Sequence, residues 1–81
     1  MTNDEYYSQI KNKMSLDRTQ KDVIFLMLHE AEGGYVPSNR FRNISMSHRK
    51  CISTLNKEGF NIENKRNMVG DSWHSSYRLK P

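Results

Sequence analysis

Three polar side chains stand ahead of Gly59 in this 81-residue chain at spacings of three and four: Lys50, Ser53 and Lys57. On a helix such spacing lines up one edge. With Ile52 as zero and a step of about 100° per residue, Ile52, Leu55 and His48 fall within roughly 60° of one another, an inward side. Lys50, Ser53 and Lys57 fall opposite, with Arg49, Met46 and Thr54 near the margins. Ammonium, guanidinium and hydroxyl groups arranged this way can donate to phosphate oxygens and to the edges of guanine or adenine. The bland alternative is an ordinary solvated face with no partner. Two further segments add donors: Arg40 and Arg42 before it, and Lys65, Arg66 and Asn67 after it.

The charge distribution agrees. Residues 1–37 hold four Lys/Arg against six acids, a balance of −2, whereas residues 38–81 hold nine against three, a balance of +6. An acidic first half and a basic second half point to a polyanion-binding face built from the second. Other chemistry is weaker. His29, His48, His74 and Cys51 are the candidate metal ligands, but only His48 and Cys51, three apart, have close ligand spacing, so no metal or cofactor is expected. Glu63-x-Lys65 matches the end of a nuclease metal motif, yet no partner acid precedes it, and a surface strand of alternating charge accounts for it. No catalytic role is expected. Asn43-Ile44-Ser45 fits a glycosylation sequon, which has no meaning in a cytosolic chain.

Size narrows the field further. Eighty-one residues, 35% of them hydrophobic, allow one small domain and no deep-pocketed enzyme. Leu, Ile, Val and Phe number 16, near the floor for an ordered chain. The longest apolar run, Val23 to Leu28, is six residues where a membrane span needs roughly 20. The first residues, with Asp4 and Glu5, are too polar and acidic for a secretory signal, and one cysteine makes no internal disulfide. A cytoplasmic location is expected.

The elements that must position these residues follow from periodicity. Tyr6, Tyr7, Ile10 and Met14 predict a short amphipathic helix over residues 4–14. Tyr6 and Tyr7 suit either a homodimer interface or closure over the chain's own core. Asp17 with Gln20 has capping-box form and opens a helix from Arg18 to about Glu32, burying Val23, Ile24, Met27, Leu28 and Ala31, with Phe25 and Leu26 widening the stripe. Gly33-Gly34 ends it. Tyr35-Val36-Pro37 is extended, and Ser38 caps a very short helix from Asn39 to about Asn43 that buries Phe41. After a turn at residues 44–47, with Ser45 and Ser47 as caps, a longer helix runs to Glu58 and stops at Gly59. The period then becomes alternating: Phe60 and Ile62 inward, then a hairpin loop over residues 67–72 with Gly70-Asp71 as its turn and Lys65 and Arg66 at its tip. Trp73, Ser75, Tyr77 and Leu79 share one face of the returning strand. Trp73 is expected to pack at the core or its rim, with stacking on a nucleobase as the alternative.

Helix, helix, short helix, longer helix and hairpin make up a mainly α domain with a C-terminal β-hairpin: a winged helix-turn-helix with an extra N-terminal helix. Its expected parts are the extension 1–15, the core helix 18–32, the helix-turn-helix 38–59 and the wing 60–80. In such a fold one helix fills the major groove while the hairpin reaches sideways. The run from Arg49 through Ile52, Leu55, Gly59 and Ile62, followed by Tyr77-Arg78-Leu79, resembles small phage and prophage helix-turn-helix proteins. Its ending is similar to the N-terminal domain of biotin repressors. The resemblance, over residues 18–80, implies that Ile52, Leu55, Gly59, Ile62, Tyr77 and Leu79 are framework, while Arg49, Lys50, Ser53 and the hairpin cations face DNA. The expected interface is therefore Arg40, Arg42, Ser47, Arg49, Lys50, Ser53, Lys57, Lys65, Arg66 and Asn67, on double-stranded DNA. The expected role is that of a transcription regulator or recombination accessory factor of a phage or mobile element. The competing expectation is a winged-helix module that docks on a protein, such as an inhibitor of a host enzyme.

Overall fold

A computed structural model describes residues 2–42, 44 and 47–80. Among these residues four α-helices and a three-stranded antiparallel sheet follow in the order α1 (Asn3–Asn12), α2 (Gln20–Glu30), β1 (Val36–Pro37), α3 (Ser38–Arg42), α4 (His48–Lys57), β2 (Ile62–Val69) and β3 (Ser72–Leu79). The fold is therefore α plus β rather than mainly α with a lone hairpin. The extended Val36-Pro37 pairs with Tyr77 and Ser76 and becomes a third strand, so β3 lies at the centre of the sheet order β1-β3-β2.

The helices start on reciprocal caps. At α1 the Thr2 hydroxyl accepts from the Glu5 amide (3.2 Å) while Glu5 takes the Thr2 amide (3.4 Å). The helix stops at Asn12, so Met14, expected on its inward stripe, is 72% exposed. The cap of α2 also differs from expectation. Asp17 lies in a 3-10 turn over Ser15–Asp17, and Thr19 is the cap instead. Its hydroxyl accepts from the Asp22 amide (3.2 Å), and Asp22 accepts from the Thr19 amide (3.1 Å). The reason is tertiary: the buried Asp22 carboxylate also receives the Tyr6 hydroxyl (2.5 Å) and the Lys13 ammonium (3.0 Å), partners that exposed Asp17 lacks. The helix accordingly begins at Gln20, not Arg18, and ends at Glu30 as Glu32 and Gly33 turn left-handed at φ 51° and 86°.

Ile24, Phe25, Leu26 and Leu28 of α2 are buried on several sides, which makes it the central helix. Phe25 packs on Tyr6 (ring centroids 4.6 Å apart) and Phe60 (5.0 Å). Tyr6 and Tyr7 both lie against this core and pack over the chain's own interior.

The short α3 buries Phe41 as expected. Ser45, Met46 and the sequon residue Asn43 lie outside the described residues. Helix α4 turns Ile52, Leu55 and His48 inward; His48 sits beside the Phe41 and Tyr77 rings, which also pack on each other. Its end is tightly specified. The Gly59 amide donates to the Asn56 carbonyl (3.1 Å) and the Phe60 amide to the Leu55 carbonyl (3.1 Å), with Gly59 at φ 102°. Buried Phe60 and Leu55 supply the apolar partner that such a closure calls for. The Asn56 side chain then accepts from the Ile62 amide (3.0 Å), tying α4 to the strand it feeds.

The hairpin is longer than expected. Asn67, Met68 and Val69 pair with His74, Trp73 and Ser72, so the loop shrinks to Gly70 and Asp71. Gly70, at φ 62°, takes the left-handed conformation that lets a two-residue turn follow the strand twist. Lys65 and Arg66 are consequently in mid-strand, not at the tip. Among the described residues no helix is long and apolar enough to cross a membrane.

Candidate nucleic-acid interface

Alternation along the ladder divides the hairpin into two faces. Ile62, Asn64, Arg66 and Met68 share one face with Leu79, Tyr77, Ser75 and Trp73, their direct cross-strand partners. That face continues from the core and opposes α4. Glu63, Lys65, Asn67 and Val69 occupy the other.

Between α4 and the first face runs an open groove of about 570 Å³. Arg49, Ser53, Asn56 and Lys57 line its helix wall, and Asn64, Arg66 and Ser75 its sheet wall, over a floor of Ile52, Ile62 and Tyr77. Of the residues expected at an interface, the fold thus brings Arg49, Ser53, Lys57 and Arg66 together. Lys50 shares the exposed side of α4 without lining the groove; its carbonyl accepts from the Thr54 hydroxyl (3.0 Å). Ser47 is exposed at the position before α4. Arg40 and Arg42 are exposed on α3, away from the groove lining.

Lys65 and Asn67 do not join the group. They stand on the opposite sheet face from Arg66, because neighbours on a strand point to opposite sides. Lys65 lies over the Tyr35 ring, its ammonium 5.3 Å from the centroid. Beside it the Tyr35 hydroxyl donates to Glu63 (2.6 Å), which Lys80 (3.0 Å) and Arg78 (3.7 Å) also approach. The bond from Tyr35, with the nearby cations, holds the Glu63 carboxyl below its ordinary value and pushes the Tyr35 phenol up. Glu63 is thus engaged in a surface network with Tyr35, Lys80 and Arg78.

The cations of the second half share another property. Arg40, Arg42, Arg49, Lys50, Lys57, Lys65 and Arg66 form no ion pair among the described residues. Uncompensated like charge on a small domain is self-repulsive, and a polyanion removes that repulsion.

Asn56, Asn64 and Ser75 also line the groove, although their residue types did not single them out. The signal was present in the spacing. Asn64 and Ser75 share the period-two face of Ile62 and Tyr77, and Asn56 follows Ser53 by three. Trp73 departs from expectation more sharply: it keeps phase with Tyr77 and Leu79 but is 61% exposed. The hairpin outruns the core, so the inward phase near its tip faces solvent. Met68, directly opposite, is 57% exposed, and the Arg66 guanidinium lies 5.6 Å from the Trp73 ring centroid, a stacking worth about 0.5–1 kcal/mol in an exposed setting.

The candidate metal ligands are dispersed. His29 stacks on Tyr7 (4.1 Å), His48 is in the core, and His74 is on the outer face of the hairpin. Among the described residues no three His, Cys, Asp or Glu gather in a group able to hold a metal ion.

No family model, curated protein or solved structure matches the chain.

Proposed function

We propose that this chain is a winged helix-turn-helix protein that binds double-stranded DNA without catalysis. The order α2-β1-α3-α4-β2-β3 with a β1-β3-β2 sheet is compatible with that fold and supports the reading. The observation that carries it is the groove between α4 and the hairpin, where Arg49, Lys57 and Arg66 meet without an acid to neutralise them. In this reading α4 lies in the major groove, with Arg49, Lys50, Ser53 and Lys57 toward bases and phosphates. Arg40 and Arg42 on α3 hold the flanking backbone, and the hairpin approaches the duplex through Arg66. The role that fits the sequence resemblance is a transcription regulator or recombination accessory factor of a phage or mobile element.

Fluorescence titration of a labelled random-sequence duplex at two salt concentrations tests it. Four or five phosphate contacts predict an affinity loss of about 150- to 500-fold between 50 and 200 mM salt. Absence of binding at 50 mM salt would overturn the proposal. A second reading, a winged-helix module that docks on a protein such as a host enzyme, is favoured by the apolar hairpin tip of Met68, Val69 and Trp73. It predicts no duplex binding and no effect of Lys50→Glu with Lys57→Glu on the partner's affinity.

A further inference from the structure

The far end of the hairpin is chemically unlike the rest of the basic surface. Met68, Val69 and Trp73 are 57%, 63% and 61% exposed there, in a chain with few apolar residues to bury. They add little to the core, and Met68 and Trp73, side by side on one face with Val69 behind them, form a water-facing apolar patch of the kind that marks a contact surface. Its geometry is specific. Met68 and Trp73 form a direct cross-strand pair one step below the Val69 and Ser72 pair that closes the turn. Arg66, diagonal to Trp73 on the same face, lies over the indole ring. The pair is six residues beyond the buried Ile62 and Leu79 pair, roughly 20 Å along the strands. The whole molecule is 42 Å long by 25 and 21 Å across, so this end projects.

Resting on the DNA-binding reading, we propose that Trp73 and Met68 are an apolar wedge inserted between two base pairs from the minor groove, bending the duplex. The reach suits it. Half a helical turn, roughly 17 Å, separates the major groove from the adjacent minor groove, close to the span from the base of the hairpin to the Met68 and Trp73 pair. Apolar side chains between base steps unstack them and kink the helix, and a flat indole edge with a flexible thioether beside it can enter such a gap. Arg66 beside the wedge meets the phosphates that approach when the groove bends, and Arg49 and Lys57 continue the positive track on the same side. Asp71 in the turn is the one acid between Asn64 and Trp73, so nothing else at this end repels the backbone. Pyrimidine–purine steps, the cheapest to unstack, are the preferred insertion sites.

Trp73 is the only tryptophan in the chain, so its emission reports its own environment. The test uses the full chain, a random-sequence duplex and a duplex labelled at both ends for energy transfer. Saturation with duplex should at least halve Trp73 emission and shorten the end-to-end distance. Trp73→Ala should weaken binding about tenfold and abolish the bend while leaving the salt dependence of affinity unchanged; Trp73→Phe should keep the bend. Salt-dependent binding with unchanged emission, or a full bend by Trp73→Ala, overturns the wedge and leaves the DNA-binding reading standing. No duplex binding by the unaltered chain overturns both and turns the apolar tip toward a protein partner.

Discussion

The two halves of this protein treat positive charge in opposite ways. In the first, every Lys and Arg has a partner: Lys11 pairs with Glu30, Lys13 with Asp22 and Lys21 with Glu58, and Arg18 donates to the Ile10 carbonyl. In the second, Arg78 and Lys80 share Glu63, and the other seven cations have no ion pair among the described residues. Two single elements, α2 and the hairpin, differ in a similar way over apolar groups. Helix α2 buries its large side chains, whereas the hairpin carries three into solvent. Both halves contribute to the core, but the first compensates its cations within the chain and the second leaves most of its own without an acid.

The largest test of that division lies in the core. Phe25 is fully buried against Tyr6 and Phe60, and Phe25→Ala should cost about 3–5 kcal/mol. At roughly 4–8 °C per kcal/mol for a domain this small, Tm should fall by more than about 12 °C in a circular-dichroism melt. A fall under 5 °C would mean that the ring cluster around Phe25 is not the stabilising centre of the core.

Next in size is charge reversal in the groove. Lys57→Glu with Arg66→Glu should weaken duplex binding about a hundredfold and reduce the salt slope by about two. Tm should hold or rise, since repulsion among unpaired cations is relieved. A melt lowered by more than 5 °C would assign these residues to the fold instead.

Asp22 tests the first half by pH. Burial alone pushes its carboxyl up, but the bonds from Tyr6, Lys13 and the Thr19 amide outweigh it and hold the group below its ordinary value. A carboxyl held low in the folded state stabilises fully above its unfolded value of about 3.9 and loses that contribution as pH falls through the folded one. Asp22→Asn should therefore lower stability by about 1–3 kcal/mol at pH 7, and the gap from the unaltered protein should narrow below pH 4. A gap that stays constant with pH would rule out the ionised Asp22 as its source.

The smallest effect distinguishes neighbours. Arg66→Ala should weaken duplex binding three- to tenfold and Lys65→Ala less than twofold, because they stand on opposite sheet faces. Equal losses in the same titration would show that both faces touch DNA.

Much of this arrangement was legible along the chain. The inward edge of α4, Ile52, Leu55 and His48, follows from helical spacing, and its stop follows from Gly59. The extended Val36-Pro37 and the buried Phe41 were also readable. The misses share a cause, which is that distant partners settled them. Thr19 displaced Asp17 as a cap because Asp22 had Tyr6 and Lys13 to bind. Trp73 kept its phase but lost its cover because Gly70 let the strands run past the core. Lys65 and Arg66, read together as basic neighbours, were separated once the ladder fixed which side each one faced.

Periodicity and charge are local properties, written in residue order, so the sequence by itself determined which segments coil, which alternate and that the cations gather late in the chain. Which cations share a groove, which strand is central and what stands uncovered at the hairpin end were decided only by tertiary structure. Those outcomes depend on register and on where the core stops, and both arise from contacts between residues far apart along the backbone.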